Sequence, residues 1–230
     1  TYPSFIIKES NNKGISNSGK ESSKVTAILK NVSEFQDIGQ ATEALTAIGQ
    51  AYKDLDKIEI VDKLNEVGNN YSISTDKLAS GLQKSASTLS LLGNTIDQAA
   101  ALITAGNATI QDVDSVANGI RTVSLRIIGT DEAKKELQEI GGEIDDYVTQ
   151  TSEKKTATEN NKDGVDILDN AGNYREVYDI LLDISKVYKD IQAEDKKNGT
   201  NKAQALIEEL GGKTRANVVA SIISNGDILE

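Results

Sequence analysis

Apolar positions recur at helical intervals along most of this chain. From Ile38, the residues Ala41, Leu45, Ile48, Tyr52 and Leu55 follow at spacings of 3, 4, 3, 4 and 3. That is a seam of period 3.5, as one face of a bundle helix or a short coiled coil presents. Tyr174, Val177, Leu181, Ile184, Tyr188 and Ile191 repeat the same spacing, with Ile180 and Val187 widening the stripe. Between these seams, three further helices are predicted through Leu78–Leu92, through Ala99, Leu102 and Ile103, and through Val113, Val116, Ile120, Val123 and Ile127. Val123, Leu125 and Ile127 also alternate as a strand would, but the longer pattern is helical. Leu137, Ile140, Ile144 and Val148 form another amphipathic run, interrupted by Gly141-Gly142. A last pair runs through Ala203, Leu206, Ile207 and Leu210, then Val218, Val219, Ile222 and Ile223, split by Gly211-Gly212. About eight short-to-medium helices without strand–helix alternation give an all-α class, bundle-like or partly coiled-coil.

The joints are written in glycine and small polar residues. Gly68-Asn69, Gly93-Asn94 and Gly106-Asn107 each follow an apolar run and predict helix stops at a left-handed glycine. Ser33-x-x-Gln36 and Thr95-x-x-Gln98 fit capping boxes, and Ser74 or Thr75 can cap the helix that follows. Residues 8–24, KESNNKGISNSGKESSK, read as a flexible linker, preceded by a short apolar patch, Phe5-Ile6-Ile7, suited to pairing outside this segment. Residues 149–163 and 194–201 read as polar loops, and Asp169–Asn173 as a turn. The organisation that follows is a flexible polar segment over 1–32, a helical region over 33–148, a polar loop over 149–171 and a second helical region over 172–230.

Composition narrows the chemistry. The 230 residues contain two Phe, seven Tyr, no Trp and one Pro, so cores must be built from aliphatic side chains on narrow helical stripes. The absence of Met implies a processed product or, as favoured here, part of something longer. With no Cys and no His, disulfides, thiolate catalysis and the commonest general base and metal ligand are removed. The net charge of −11 is uneven. Residues 1–36 hold five Lys and three Glu, a balance of +2, so the remainder sums to −13. Such a balance opposes nucleic-acid binding and docking on anionic lipid. No apolar run reaches the roughly 18–20 residues needed to span a bilayer.

Candidate sites are few. Gly212-Lys213-Thr214 has the ending of a phosphate loop, but Ile207 stands where the motif requires its first glycine, and 202–210 read as a helix. Asp112-x-Asp114 begins like a calcium loop that Val116 and Val123 then fail to continue, so a helix start is the better reading. Asp163, Asp166 and Asp169 share one loop without an arrangement specific to a cation. No catalytic, cofactor or metal residues are assigned. The interaction candidates are the two seams: Ile38, Leu45, Ile48, Tyr52 and Leu55, and Tyr174, Val177, Leu181, Ile184, Tyr188 and Ile191.

Several blocks taken in order carry a family resemblance. They are Val61–Asn70 with Ser72-Ile73-Ser74, the stretch from Leu82 to Asn107, TVSLRIIG from Thr122 to Gly129, and Gly164–Ile167. GNYREVYDILLDISKVY from Gly172 to Tyr188 and LGGKTRANVVASIISN from Leu210 to Asn225 complete the set. Together they resemble the tail tape measure proteins of long-tailed bacteriophages and related prophages. Departures include Leu125 and Ile128, where the family commonly has Met and a basic residue. Thr214 also separates Lys213 from Arg215, which the family tends to place side by side. The resemblance implies a mostly helical chain in the tail lumen, assembled in the bacterial cytoplasm and acting in tail length determination, tail assembly and genome ejection. It implies self-association and contact with tail tube or tail tip proteins, with no enzymatic activity and no cofactor. Repeated glycine stops predict a compact region rather than one rod. The competing readings are a helical binding module of a secreted effector or adhesin and, more remotely, a carboxylate-based wall hydrolase.

Overall fold

The computed structural model describes residues 17–128, 148–149, 165–166, 169 and 171–230. Eight α-helices occupy these residues: α1 Asn17–Asn31, α2 Ile38–Ala51, α3 Lys57–Asn70, α4 Thr75–Leu91, α5 Ile96–Ile110, α6 Val113–Ile127, α7 Val177–Asn198 and α8 Lys202–Ser224. A single 3-10 turn, Gly226–Ile228, closes the chain's described part. The class is all-α, as the periodicity predicts.

Starts and stops follow local chemistry. Thr95 and Gln98 form the predicted reciprocal capping box, with Gln98 N donating to Thr95 Oγ1 at 3.2 Å and Thr95 N to Gln98 Oε1 at 2.8 Å. Asp112 starts α6 by accepting from the amides of Asp114 and Ser115. The box expected at Ser33 does not form. The Ser33 hydroxyl instead donates back to Leu29 O at 2.6 Å, at the end of α1. Asp37 caps α2 by accepting from Gln40 N at 3.0 Å, because a short carboxylate directly before the first helical residue reaches that amide.

Of the three predicted Gly-Asn stops, one works as written. Gly93 has φ +85° and ends α4. Gly68 and Gly106 lie inside α3 and α5. Both are places of close approach: a Cβ on Gly68 would meet Thr75 Oγ1 at 2.5 Å, and one on Gly106 would meet Val116 Cγ1 at 2.6 Å. The break at Gly211-Gly212 is present as a kink, with Gly212 at φ 60°, ψ −178° dividing α8 into two helical halves.

The flexible segment expected over 1–32 is corrected from residue 17 onward by α1, which buries Thr26 and Leu29 against α2 and α3, while residues 1–16 lie outside the described residues. The expected polar loop over 149–171 contains a two-residue parallel pairing, Val148↔Val165 and Thr149↔Asp166, with Val165 buried. The amphipathic run read through Leu137, Ile140 and Ile144 and the patch Phe5-Ile6-Ile7 lie outside the described residues. Helix α4 packs against α2, α5 and α6, while α8 packs against α5, α6 and α7. Buried side chains from Leu29 in α1 to Leu229 beyond α8 form one apolar cluster, so the helices before and after residue 149 share a core.

Candidate interaction surfaces

The two seams enter this shared core. Leu45, Ile48 and Tyr52 in the first, and Val177, Leu181, Ile184, Tyr188 and Ile191 in the second, are buried within the chain itself. The remaining three seam positions depart from the expected pattern. Helix α2 begins at Ile38, whose side chain remains 54% exposed. Leu55 falls beyond the end of α2, half-buried against the core, because the chain turns at Tyr52 and Asp56 starts the next helix by accepting from Lys57 N at 3.1 Å. Tyr174 precedes α7, which begins only at Val177, and is 50% exposed. At its other end α7 continues past Ile191 through the expected polar loop to Asn198, stopped by Gly199 at φ +68°.

Polar anchors hold α7 and α8 on the rest of the bundle. Asn94, buried in the turn between α4 and α5, accepts from the amide of Tyr178 at 3.0 Å through Oδ1 and donates to Leu89 O at 3.1 Å through Nδ2. Glu176 offers α7 no side-chain cap of its own, so Asn94 supplies one from 84 residues away. The hydroxyl of Tyr178 donates to Leu229 O. Farther along, Ser221 Oγ donates to Gly106 O at 2.8 Å, and Asn225 Nδ2 donates to Thr109 Oγ1 at 3.2 Å. Gly119 lets Val218 sit against α6 where a Cβ would fall within 2.6 Å of its methyl carbon.

Two charges are buried at the kink of α8. Arg126 is 5% exposed and Glu209 is 7% exposed, and Arg126 Nη1 donates to Glu209 O at 3.4 Å. The guanidinium lies directly under Gly212. Sequence reading missed both, because an Arg and a Glu on helices default to solvent; the signal was their place among apolar neighbours, Ile127 and Leu210. It also missed Asn94, read there as part of a stop rather than as an anchor.

Around the periphery, Lys63 and Asp97 pair at 2.8 Å, and that contact raises the Lys63 pKa. Tyr52 donates to Thr95 O at 3.4 Å, and burial, aided by the Asp97 charge, pushes its hydroxyl well above the ordinary tyrosine range. The carboxylates considered for a cation are engaged locally. Asp112 also accepts from the Ser115 hydroxyl at 2.7 Å, and Asp169 accepts from the amides of Ala171 and Asn173 at 2.8 Å each. Both carboxyls are thereby held below the usual carboxylate range. Asp163 lies outside the described residues. Among those described, no group of three or more acidic side chains is placed to hold a metal, and no helix is long and apolar enough to cross a membrane.

Comparison with known families gives this helical frame and its interior anchors a setting. The model of a family described as phage-related minor tail protein matches residues 9–212. The chain belongs to that family. No solved structure matches it. As a member of the phage-related minor tail protein family, the chain is a structural component of a phage tail and is associated with the virion, where its partners are other tail proteins. The matched span takes in α1, which composition alone assigns to a linker, and ends at the Gly212 kink.

Proposed function

We propose that this chain is a compact helical region of a tail tape measure protein, lying in the tail lumen and acting in tail length determination, assembly and genome ejection. The observation that carries this reading is the ordered series of tape-measure-like blocks between residues 59 and 225, set within a family match that covers most of the chain. The region acts as a folded unit rather than as a length of ruler, a role supported by helices that reverse direction and share one core. It works without catalysis, cofactor or nucleic-acid binding. Its partners are further copies of the same chain and the proteins of the tail tube or tip. A surface with net charge −11 repels the DNA that follows it through the tube.

The test is tail length, read by electron microscopy, after in-frame deletion of codons 59–225 from the full gene. An extended segment of that length contributes on the order of 250 Å at about 1.5 Å per residue. A folded unit predicts a much smaller shortening together with loss of infectivity. Shortening by the full extended length refutes the compact reading, and normal tails with full infectivity refute the tape measure reading.

A further inference from the structure

Two of the acid-free stretches of this acidic chain come together in the fold. Residues 115–128 carry Arg121 and Arg126, and residues 210–224 carry Lys213 and Arg215, without a single Asp or Glu in either. They are more than 80 residues apart, yet α6 and the second half of α8 pack together, with Gly119 against Val218 and Arg126 under Gly212. These two contacts set the helices antiparallel. Asn118, Arg121 and Leu125 follow one stripe of α6, and Lys213 and Asn217 follow one stripe of α8. Both helices bury their opposite stripes in the core, so the two exposed stripes lie side by side. Arg121 and Lys213 are exposed, Arg215 is half-exposed, and Leu125 is 42% exposed among them. None of the three cations forms an ion pair among the described residues. At the far end of the α6 stripe, Asp114 is already paired with Lys84 at 2.5 Å.

A complementary face exists elsewhere on the same molecule. On α3, Glu59, Asp62 and Glu66 are exposed at spacings of 3 and 4, with Ile58 exposed beside them. The one cation in that stripe, Lys63, is turned to Asp97. Helices α4 and α5 stand between this face and the α6–α8 pair, so the two faces cannot meet within one molecule. We infer that the α6–α8 face of one copy docks on the α3 face of the next, cations on carboxylates and Leu125 toward Ile58. Such a contact is heterologous, joining different surfaces of identical chains, and it builds a ring or an open series of copies. DNA is the poorer occupant: two exposed cations and one half-exposed one offer few phosphate contacts, and the body that bears them is strongly acidic.

The inference deepens the self-association placed in the proposed function, but it is tested on the isolated chain, independently of tail length. Two variants separate it from general charge effects. Arg121→Glu with Lys213→Glu turns the basic face acidic, for a net charge of −15 (−11 − 4). Glu59→Lys with Glu66→Lys turns the acidic face basic, for −7 (−11 + 4), so an equimolar mixture keeps the mean charge of the parent. Sedimentation is run at about 0.1 M salt, where repulsion between whole bodies is screened beyond roughly 10 Å while charges in contact are not. The parent chain is expected to associate with rising concentration, each variant to weaken that association by about tenfold or more, and the mixture to restore it. Circular dichroism reports whether each variant folds, and the neutral pair Arg121→Gln with Lys213→Gln replaces the first if it does not. A monomeric parent, a variant that associates as the parent does, or a mixture that stays apart overturns the inference. Duplex DNA bound by the parent and released by Arg121→Glu with Lys213→Glu overturns it as well, by assigning the face to nucleic acid.

Discussion

Glycine shows how far identical letters diverge in this molecule. Gly93, Gly68 and Gly106 each precede Asn and read alike, yet only Gly93 takes a positive φ. The other two are fixed by what approaches them, Thr75 in one case and Val116 with Ile222 in the other. No local pattern encodes such a neighbour, because Ile222 is contributed by a helix more than a hundred positions later. Gly212 combines both demands. Its φ of 60° with ψ of −178° is a conformation essentially closed to other residues, and a Cβ would fall 2.6 Å from the Arg126 guanidinium. Gly199 has φ +68° but nothing within 4 Å. Gly212→Ala should therefore destabilise the chain by about 2–3 kcal/mol and Gly199→Ala by only about 1 kcal/mol. Urea unfolding of the two variants beside the parent checks the order; equal losses would mean that the packing over Arg126 contributes nothing.

At the level of helices, the sequence was legible wherever a cap and an apolar stripe agreed, as in α5 and α6, whereas α4 starts at Thr75 without a side-chain capping bond from Ser74. It was less legible at α2 and α7, where most of the spaced residues are buried in the chain's own core but the helix stops at Ala51 and starts at Val177. A spacing rule continues through a turn as readily as through a helix, so Leu55 and Tyr174 kept the rhythm after the backbone had left it. Helix α1 was hidden by its serines and lysines, although Val25, Ile28, Leu29 and Val32 keep helical spacing. Carboxylates at helix ends also give the fold a pH signature. Asp195 joins the end of α7 to the start of α8, accepting from the Thr200 hydroxyl and from the amides of Lys202 and Ala203 at 2.9 and 2.8 Å. These bonds, that from Thr200 foremost, depress its pKa. Its contribution is present above the unfolded value and lost as pH falls through the folded one. Asp179 works in the opposite direction: burial first, then the neighbouring Glu176, raise its pKa. Folding then takes up a proton there, and stability gains as pH falls toward the unfolded value. A stability–pH curve should thus rise slightly from neutral into mild acid and fall below about pH 4, near the ordinary carboxylate value. Asp179→Asn should flatten the rise, and Asp195→Asn should lower the plateau and soften the acid fall. Urea midpoints across the range decide it, and a parent curve that declines steadily from neutral pH contradicts the Asp179 assignment.

For the molecule as a whole, the fold class was fully legible and the compactness partly so. Aliphatic stripes with few aromatics dictate helix packing, but which helices touch depends on buried anchors such as Asn94 and Ser221 that look like ordinary surface residues in sequence. Extended end to end, the eight helices would form a rod with a radius of gyration of roughly 60 Å at about 1.5 Å per residue, whereas a compact chain of this length has about 17 Å. Small-angle scattering on the isolated chain should give a value within several ångströms of the second. A value near the first would separate the helices from their shared core.

The bonds from Ser221 to the backbone of α5 also set a timetable. Helices α4 to α6 leave the ribosome complete, but the groove that Gly106 and Gly119 open for Ile222 and Val218 stays empty until α8 has been made. About 100 further residues must be added first, which takes roughly 5–20 seconds at bacterial and eukaryotic rates of about 5–20 residues per second. For that interval the nascent chain carries an apolar groove facing solvent, and whatever shields it during synthesis competes with α8 for the same site.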